Sequence, residues 1–269
     1  MEVLIERIPN LKKSAFIIVT HNNVELLTRC VNSIIKYSSS PYHIFLIDNA
    51  SSDATTGFCL HNNENLTYIR NNKNLWWGGG INQGIKLSDA YDYVFFLNDD
   101  IEVYKDWDIN HINVLESVSN IGAVGPMNSN PDDWQNYDRV IKVFNPNIPE
   151  LKDVERSNIE EINRNIRSNE RTFITVRGML AFFCTAFKRS VIDKVGLLDE
   201  DFIMGGDDDD YARRLDLEGL NLALLLNTYV IHHGSTSTKK NKSDSWKLSQ
   251  RKKNSELLKK KYPNYYVKH

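Results

Sequence analysis

Short apolar runs alternate with a helix-forming segment in the first hundred residues, and this alternation limits the folds open to the chain. Ala15 to Thr20, Ile44 to Ile47, Leu66 to Arg70 and Tyr93 to Leu97 each have the composition of a strand. Between the first two strands, Glu25 to Tyr37 places apolar residues at helical spacing, which predicts an amphipathic helix. Strands that alternate with helices build a mostly parallel sheet with right-handed crossovers. We therefore expect an α/β fold.

Polar or glycine-rich residues follow each of these strands. They occupy residues 20–23, 48–53, 71–80 and 98–100, and a helix is expected over Asn82 to Asp89. Open α/β sheets bind their ligands in the crevice outside the carboxyl ends of the strands. We therefore expect a nucleotide at this edge of the sheet.

The second half of the chain is patterned differently. Residues 131–171 are polar and contain Pro131, Pro146 and Pro149, which predicts a loop and a helix over Val154 to Ile166, inserted outside the core. After this segment the pattern predicts a strand, two short helices followed by glycine, and a last strand: Val176 to Phe187, Ser190 to Val195, Asp209 to Glu218 and Leu222 to Ile231.

Composition indicates an ordinary soluble protein, with 41% hydrophobic residues, 25% charged residues and a net charge of −2. This balance argues against nucleic acid as a partner. Cys30, Cys59 and Cys184 are widely spaced and lack a metal-binding motif, so a reducing compartment is the simpler expectation. We see neither a signal peptide nor an apolar stretch of about 18 residues. The cytoplasm is the expected location.

The C-terminal tail, residues 238–269, is strongly basic. From Lys239 onward it has 11 Lys or Arg residues against 2 acidic ones. Such a segment on an acidic body suits an anionic ligand or the cytoplasmic face of a membrane, bound peripherally. A solvated, lysine-rich helix has the same composition, so both interpretations stay open.

Asn98-Asp99-Asp100 ends the fourth strand. Two adjacent carboxylates at a sheet edge are costly unless a positive group meets them, and a divalent metal that holds a phosphorylated substrate is the usual one. A solvated Asp-Asp turn is the alternative.

Two more strand ends carry groups suited to a nucleotide. The short polar side chains of residues 48–53 suit a base edge and ribose hydroxyls, although a simple turn has the same composition. Three consecutive glycines in residues 74–80 leave a backbone that a phosphate or sugar can approach closely. Trp76 and Trp77 precede them, either as core packing or as the lining of a sugar pocket.

Asp207 to Asp210 are the densest acidic run in the chain. Four consecutive carboxylates repel one another, so at least one should have a raised pKa, which suits a general base. A surface acidic cap or an adventitious calcium loop is the alternative. His232 and His233 follow the last strand, and a histidine pair there suits metal coordination.

Taken in order, these motifs resemble the inverting family 2 glycosyltransferases over about Ala15 to Ser237. The resemblance rests on seven matching stretches: residues 18–22, 47–55, 74–84 (NLWWGGGINQG), 98–100, 195–202, Asp207 to Asp210 with Arg214, and His232-His233-Gly234-Ser235. Within the family, the chain resembles the rhamnosyltransferase-like branch that builds cell-surface polysaccharides.

The resemblance implies a GT-A fold, a single Rossmann-like domain with a mostly parallel central sheet flanked by helices. The domain would span residues 1–237. Its nucleotide-sugar half would lie at about 14–104 and its acceptor half at about 105–237. Residues 131–171 would be an acceptor-side insertion, and 238–269 a helical tail.

The same resemblance implies transfer of a hexosyl group from a nucleotide-diphosphate sugar to a glycan or lipid-linked acceptor. The donor would contact Thr20, His21, Asn22, Asp48, Asn49, Asp53, Asn74, Trp77, Gly78, Gly79, Asn82, Asn98 and Asp99. Mn²⁺ or Mg²⁺ would bind Asp100 and a histidine, His232 or His233. Asp208 or Asp207 would be the base, and Asp210, Arg214 and Trp76 would support the acceptor side or the local structure.

Two residues depart from the family pattern. Asn98 replaces the first acid of the metal motif, so Asp100 becomes the expected direct ligand. Asp207 replaces a glutamate in the acidic motif, which leaves the base between Asp207 and Asp208, and we favour Asp208. One in-line displacement assisted by that base would invert the anomeric centre.

Two other functions are compatible with parts of this pattern. A sugar nucleotidyltransferase also uses a nucleotide-binding sheet, but it needs a basic glycine-rich loop that residues 20–25 lack. A non-catalytic carbohydrate-binding protein that keeps the fold is suggested by Asn98 and opposed by the intact run from Asp207 to Asp210.

Overall fold

The computed structural model describes residues 12–59, 64–131, 133–144, 158–167, 172–234 and 243–263. The strands in these ranges are β1 Ser14–Thr20, β2 Tyr42–Asp48, β3 Leu66–Arg70, β4 Tyr93–Asn98, β5 Ile101–Glu102, β6 Ile121–Asn128, β7 Phe173–Val176, β8 Cys184–Lys188 and β9 Asn221–His232. The helices are α1 Val24–Tyr37, α2 Thr55–Cys59, α3 Trp76–Leu87, α4 Trp107–Ser117, α5 Tyr137–Phe144, α6 Ile159–Ile166, α7 Arg189–Val195, α8 Asp207–Leu217 and α9 Asp244–Lys261.

These strands form a sheet with the order β3-β2-β1-β4-β8-β6-β9-β5, and β7 pairs with β9. β3, β2, β1 and β4 are parallel neighbours, as are β6 and β9. The register sets Thr20 opposite Asp48, and Val19 opposite Asn98. The expected mostly parallel α/β sheet is confirmed, with its carboxyl-end polar residues side by side.

Antiparallel pairs complete the sheet beyond β4. β8 runs antiparallel to both β4 and β6. The short strand β5 pairs antiparallel with the end of β9, so Ile101 lies opposite His232. This pairing brings a histidine from the last strand next to the carboxylates that follow β4.

Helices cover both faces of the sheet, which explains the unbroken apolar composition of its strands. On β1, Ala15, Ile17 and Val19 face one core cluster, and Phe16 and Ile18 face the other. α1 and α4 pack on the second cluster through Val31, Leu115 and other apolar residues, whereas α3, α5, α6, α7 and α8 pack on the first.

Helix α3 begins at Trp76, six residues before the expected start at Asn82, so the three glycines lie inside a helix. A Cβ on Gly84 would lie 2.3 Å from Ile17, and one on Gly80 would lie 2.7 Å from Val19. These glycines let α3 approach β1 closely. The open loop expected for this segment is therefore wrong.

The single strand expected over Val176 to Phe187 is also wrong. β7 ends at Val176 and β8 begins at Cys184, with residues 177–183 between them. Leu180, Phe182 and Phe183 in this connection are buried. A short apolar run indicates burial but does not by itself distinguish a strand from a buried connection.

Residues 131–171 contribute to the core, contrary to the expected insertion. Val140 and Ile141 of α5, and Ile162 and Ile166 of α6, belong to a core cluster. Both helices are strongly amphipathic, so their polar faces account for the polar composition of the segment. The part of the expected helix before Asn158 lies outside the described residues.

The basic tail contains the helix α9, which begins after the cap residue Ser243. Its buried residues Gln250, Asn254 and Leu258 are four positions apart and therefore share one face. Lys252, Lys253, Lys259 and Lys260 are exposed. Among the helices that the structure describes, none combines the length and the apolar composition needed to cross a bilayer.

Candidate active site

A cleft of about 570 Å³ opens at the carboxyl ends of the parallel strands. Its walls come from the ends of β1, β2, β4 and β9, the start of α3 and the start of α8. The lining residues are Val19, Thr20, His21, Asn22, Asn49, Asn74, Trp76, Trp77, Asn98, Asp99, Asp100, Ala181, Phe182, Phe183, Met204, Gly205, Asp207, Asp208 and His232.

Asp99 is buried and faces β1. The Thr20 hydroxyl donates a 2.7 Å hydrogen bond to Asp99 Oδ2. Burial and the neighbouring charge of Asp100 raise the pKa of Asp99 to about 7. A strand-end threonine therefore holds a carboxyl group that is easily protonated at the cleft floor.

Asp100 lies beside His232, and Asp100 Oδ1 is 3.4 Å from His232 Nε2. Burial disfavours the Asp100 carboxylate, but the hydrogen bond with His232 and electrostatic interaction with His232 and His233 outweigh it and lower the Asp100 pKa. Asn98 Nδ2 is 3.3 Å from the same imidazole nitrogen. The ring stacks on Phe183 with 4.7 Å between the centroids, and its buried Nδ1 has no hydrogen-bond partner among the residues that the structure describes.

His233 points away from Asp100. Its Nε2 lies 2.9 Å from Glu102 Oε1, and its side chain is not part of the cleft wall. Consecutive residues of an extended strand point to opposite sides, which explains the divergence. Of the two expected histidines, the structure places His232 beside Asp100.

The polar run after β2 divides into two groups. Asn49 lines the cleft, and its Nδ2 donates to the Trp76 carbonyl at 2.8 Å. Asp48 and Asp53 do not line it: Asp48 Oδ2 accepts from Tyr68 and Arg70, each at 2.6 Å. Asp53 accepts from the backbone N–H of Val24 at 3.1 Å. These two carboxylates therefore stabilise the turn that follows β2.

His21 and Asn22 follow β1 and line the cleft next to Asn49. His21 Nδ1 is 2.8 Å from the Asn49 carbonyl oxygen. Asn22 has a φ of 54° and accepts from the Ser52 N–H at 2.6 Å. The turns after β1 and β2 are thus joined into one polar wall.

Trp76 and Trp77 begin α3 at the rim of the cleft. Asn74 Oδ1 accepts from the Trp76 N–H at 2.7 Å, and Trp76 adopts a φ of 61°. The indole N–H of Trp77 is buried, and among the described residues it has no hydrogen-bond partner. Other atoms of Trp77 line the cleft.

Gly78, Gly79 and Asn82 lie behind this wall. A Cβ on Gly78 would lie 3.8 Å from Asp207 Oδ2, and one on Gly79 would lie 3.7 Å from Glu200. Asn82 accepts from the Leu198 N–H at 2.9 Å and donates to Glu200 at 2.9 Å. These residues hold α3 against the segment before α8.

Asp207 and Asp208 occupy the first turn of α8 and line the same cleft as Asp99 and Asp100. Burial raises the pKa of Asp207 to about 6. Burial, with repulsion from Asp207 and Asp209, raises the pKa of Asp208 to about 8. The expectation that the acidic run contains a carboxyl group with a raised pKa is therefore met in the structure.

Asp210 has a structural position. Its fully buried carboxylate accepts from Arg214 Nε at 2.9 Å, from the Tyr262 hydroxyl at 2.8 Å and from Lys261 Nζ. Arg214 also donates to the Val195 carbonyl at 2.9 Å. Asp210 and Arg214 anchor α8 and do not line the cleft.

The sequence did not identify several lining residues. Ala181, Phe182 and Phe183 come from the connection before β8, and Met204 and Gly205 come from the turn before α8. The only signal for the first group was its apolar run, which we interpreted as a strand. The second group directly precedes the acidic run, and the glycine pair Gly205-Gly206 was the only sequence signal for it.

Asp100 and His232 are the pair that fits a divalent cation. No group of three or more His, Cys, Asp or Glu side chains converges on one point in the part of the chain that the structure describes. Mg²⁺ in phosphate-binding sites usually takes one or two protein ligands and completes its shell with phosphate and water oxygens. A carboxylate and an imidazole side by side could supply the protein ligands of such a site.

The family model described as glycosyl transferase family 2 matches residues 15–196, which is more than half of the chain. Galactofuranosyltransferase GlfT1 of Mycolicibacterium smegmatis (strain ATCC 700084 / mc(2)155) is 22% identical over 221 residues, covering 80% of this chain and 69% of the relative.

Solved glycosyltransferases share the fold. GalNAc-T7 with UDP, GalNAc and Mn²⁺ aligns with a TM-score of 0.62 and 17% identity, over 83% of this chain and 44% of that chain. Mannosyltransferase PcManGT from Pyrobaculum calidifontis, with GDP-Man and Mn²⁺, aligns with a TM-score of 0.60 and 17% identity. That match covers 81% of this chain and 56% of PcManGT, so the chain spans about half the length of these two solved proteins.

The match to the family model and the shared fold confirm the resemblance that the ordered motifs suggested. The described sheet, with its parallel half and its antiparallel extension, corresponds to the GT-A fold of these neighbours. The chain belongs to glycosyl transferase family 2 and contains a glycosyltransferase domain of the GT-A fold.

Proposed function

We propose that this protein transfers a sugar, with inversion, from a nucleotide-diphosphate sugar to an acceptor hydroxyl in a reaction that requires Mn²⁺ or Mg²⁺. One observation carries the proposal. The Asp100–His232 pair and the Asp207–Asp208 pair line the same cleft. One pair suits charge neutralisation at a leaving diphosphate, and the other suits proton removal from an acceptor.

Donor binding is assigned to the polar wall after β1, β2 and β4. Amide and imidazole groups of His21, Asn22, Asn49 and Asn98 offer donors and acceptors for a base and a ribose. The solved neighbours GalNAc-T7 and PcManGT are complexes with UDP and with GDP-Man, so uridine and guanosine donors are the first to test.

The metal role is assigned to Asp100 and His232. A bound Mn²⁺ or Mg²⁺ neutralises charge on the diphosphate leaving group. Asn98 contacts the His232 imidazole at 3.3 Å and helps to orient it. Asp99, held by Thr20, supports the chain at the point where Asp100 turns into the cleft.

The base role is assigned to Asp208. Its pKa is raised to about 8, compared with about 6 for Asp207, and a base is most effective when its pKa is near the working pH. Asp208 is also the more accessible of the two, since Asp207 is only 6% exposed. With one base and a diphosphate leaving group, a single in-line displacement inverts the anomeric centre, whereas a glycosidase needs a second carboxyl group.

The acceptor is proposed to be a glycan or a lipid-linked sugar, and the rhamnosyltransferase-like branch stays a prediction. The exposed α9 residues Lys252, Lys253, Lys259 and Lys260 form the surface proposed for peripheral contact with an anionic membrane. Replacing these four lysines with serine should reduce binding to phosphatidylserine vesicles. Equal binding would favour the solvated-helix interpretation.

A nucleotide-sugar screen tests the main proposal. Thermal unfolding would be followed with a panel of UDP- and GDP-sugars, with Mn²⁺, with Mg²⁺ and with EDTA. One nucleotide family should raise Tm with metal, and the rise should shrink with EDTA. Release of nucleoside diphosphate and the anomeric configuration of the product, read by NMR, complete the test. Retention at the anomeric carbon would overturn the mechanism.

A further inference from the structure

We infer that Asn254 of the C-terminal helix α9 is a positioning residue for the glycosyl transfer, because it fixes the turn that presents Asp207 and Asp208 to the cleft. Asn254 lies outside the segment matched by the family model, which ends at residue 196. Its side chain is 6% exposed and faces the body of the domain.

The turn before α8 has an unusual backbone. Met204 has a φ of 66°, and Gly205 and Gly206 each have a φ of 87°. Left-handed geometry is unfavourable for methionine, so the surrounding structure must hold it in place. Met204 and Gly205 line the cleft, and Gly206 directly precedes the two acids.

The side-chain amide of Asn254 holds this backbone in place. Its Nδ2 lies 3.1 Å from the Ile203 carbonyl oxygen, 3.3 Å from that of Met204 and 2.5 Å from that of Gly205. Three consecutive carbonyls therefore converge on one side-chain amide. Without this donor they would lose their partner within the interface between α9 and the turn.

Close packing makes the contact specific to this position. A Cβ on Gly206 would lie 3.3 Å from Asn254 Cβ and 3.0 Å from Phe202, so α9 rests directly on the turn. At its far end, α9 bonds to Asp210 through Lys261, and the Tyr262 hydroxyl donates to the same carboxylate at 2.8 Å. α9 thus contacts the chain both before and after Asp207 and Asp208.

Because a general base must stand within hydrogen-bond reach of the acceptor proton, a small movement of this turn should slow transfer without weakening donor binding. This expectation rests on the base role proposed for Asp208. The link between Asn254 and the turn rests on geometry alone, so the two can be tested separately.

Asn254→Asp is the most informative variant, because it keeps the shape but replaces the donor with an oxygen that repels the three carbonyls. Asn254→Ala removes the donor without adding charge. Ser255→Asp is the matched control, since Ser255 is the exposed neighbour on the same helix and the substitution adds the same charge. Wild type and all three variants would be compared in the full-length chain.

Hydrogen exchange followed by mass spectrometry tests the link. Both Asn254 variants should speed exchange at least tenfold in the segment from Ile203 to Asp208, with β1 and β4 unchanged. Ser255→Asp should resemble wild type. Unchanged exchange in the turn, or equal acceleration throughout the sheet, would overturn the positioning role.

Kinetics test the consequence for transfer. Nucleoside diphosphate release from the UDP- or GDP-sugar that is turned over should fall at least tenfold in kcat for both Asn254 variants. The Kd of UDP or GDP with Mn²⁺ should stay within twofold. Normal kcat would contradict the inference even if Asp208→Asn is inactive. An active Asp208→Asn variant would instead contradict the proposed base, and the exchange result would stand.

Discussion

Asp100 Oδ1 lies 3.4 Å from His232 Nε2, and the antiparallel pairing of β5 with β9 sets this separation. The first residue after Asp100, Ile101, is the register partner of His232. The contact is therefore part of the sheet and does not depend on flexible loops. A rigid carboxylate–imidazole pair is what a cation site at a diphosphate needs.

His232→Ala should weaken metal-dependent nucleotide binding, whereas His233→Ala should not. Loss of one of two protein ligands should lower the affinity for UDP or GDP with Mn²⁺ by about tenfold or more. His233 contacts Glu102 outside the cleft, so its loss should change the affinity less than about twofold. Isothermal titration with Mn²⁺ and with EDTA measures both. Equal effects of the two substitutions would contradict the assignment.

Asp208→Asn should reduce transfer by about 10²- to 10⁴-fold, the usual contribution of a general base. Donor affinity should change little, because the substitution keeps the size of the side chain. Asp216→Asn is the control: Asp216 is an exposed acid near the end of the same helix and is not part of the cleft wall. Initial rates of nucleoside diphosphate release distinguish them, and comparable rates in the two variants would exclude Asp208 as the base.

The activity of the wild-type protein should increase with pH on the acid side of its profile. A base acts when it is deprotonated, and the pKa of Asp208 is raised to about 8 by burial and by its acidic neighbours. The acid limb of kcat/KM should therefore be centred near pH 8. A limb centred near pH 4, the range of an ordinary aspartate, would contradict a buried base at this position.

The raised pKa of Asp208 should also make stability depend on pH. Activity should rise with pH, whereas the free energy of unfolding should fall. The folded protein binds the Asp208 proton more tightly than the unfolded chain does, since folding raises the pKa from 3.8 to about 8. This contribution to the free energy of unfolding is present at low pH and is lost as the pH rises from about 4 to about 8. Asp208→Asn should consequently have a higher Tm than wild type at pH 8 or above, and little difference at pH 4.

Gly84→Ala should destabilise the fold by about 1–3 kcal/mol, the usual cost of overpacking a core. The new methyl group would lie 2.3 Å from Ile17 on β1, so the helix or the strand has to move. Gly57→Ala is the control, because a Cβ there meets no atom within 4 Å and alanine favours a helix. Urea unfolding should show a loss for Gly84→Ala and no loss for Gly57→Ala.

The elements that the sequence predicted best are those with a local signal. Unbroken apolar runs identified β1, β2 and β4, because strands covered on both faces need apolar residues on both sides. Because parallel neighbours end at the same edge of the sheet, their polar ends were expected to lie together. The structure confirms this, since one cleft is lined by Thr20, Asn49, Asn98, Asp99 and Asp100. The end of α7 was also predicted from the sequence, because the helix is followed by Gly196, which has a φ of 89°.

Local patterns failed where packing between distant segments decides the outcome. Gly78 to Gly80 suggested an open loop, but Gly80 and Gly84 serve close packing of a helix on β1, and a glycine has the same sequence signature in either role. The polar composition of residues 131–171 suggested an insertion, although the buried faces of α5 and α6 are part of the core.

The sequence by itself determined the α/β architecture, the edge of the sheet that carries polar groups, and the family. Only the tertiary structure decided which histidine faces Asp100, which aspartates line the cleft, and that the basic helix α9 holds the turn before α8. Asn98 and His232 are separated by 134 positions, and no local pattern records a pairing over that distance. The reason is physical: short-range periodicity encodes the type of an element, whereas its partners depend on which surfaces bury each other.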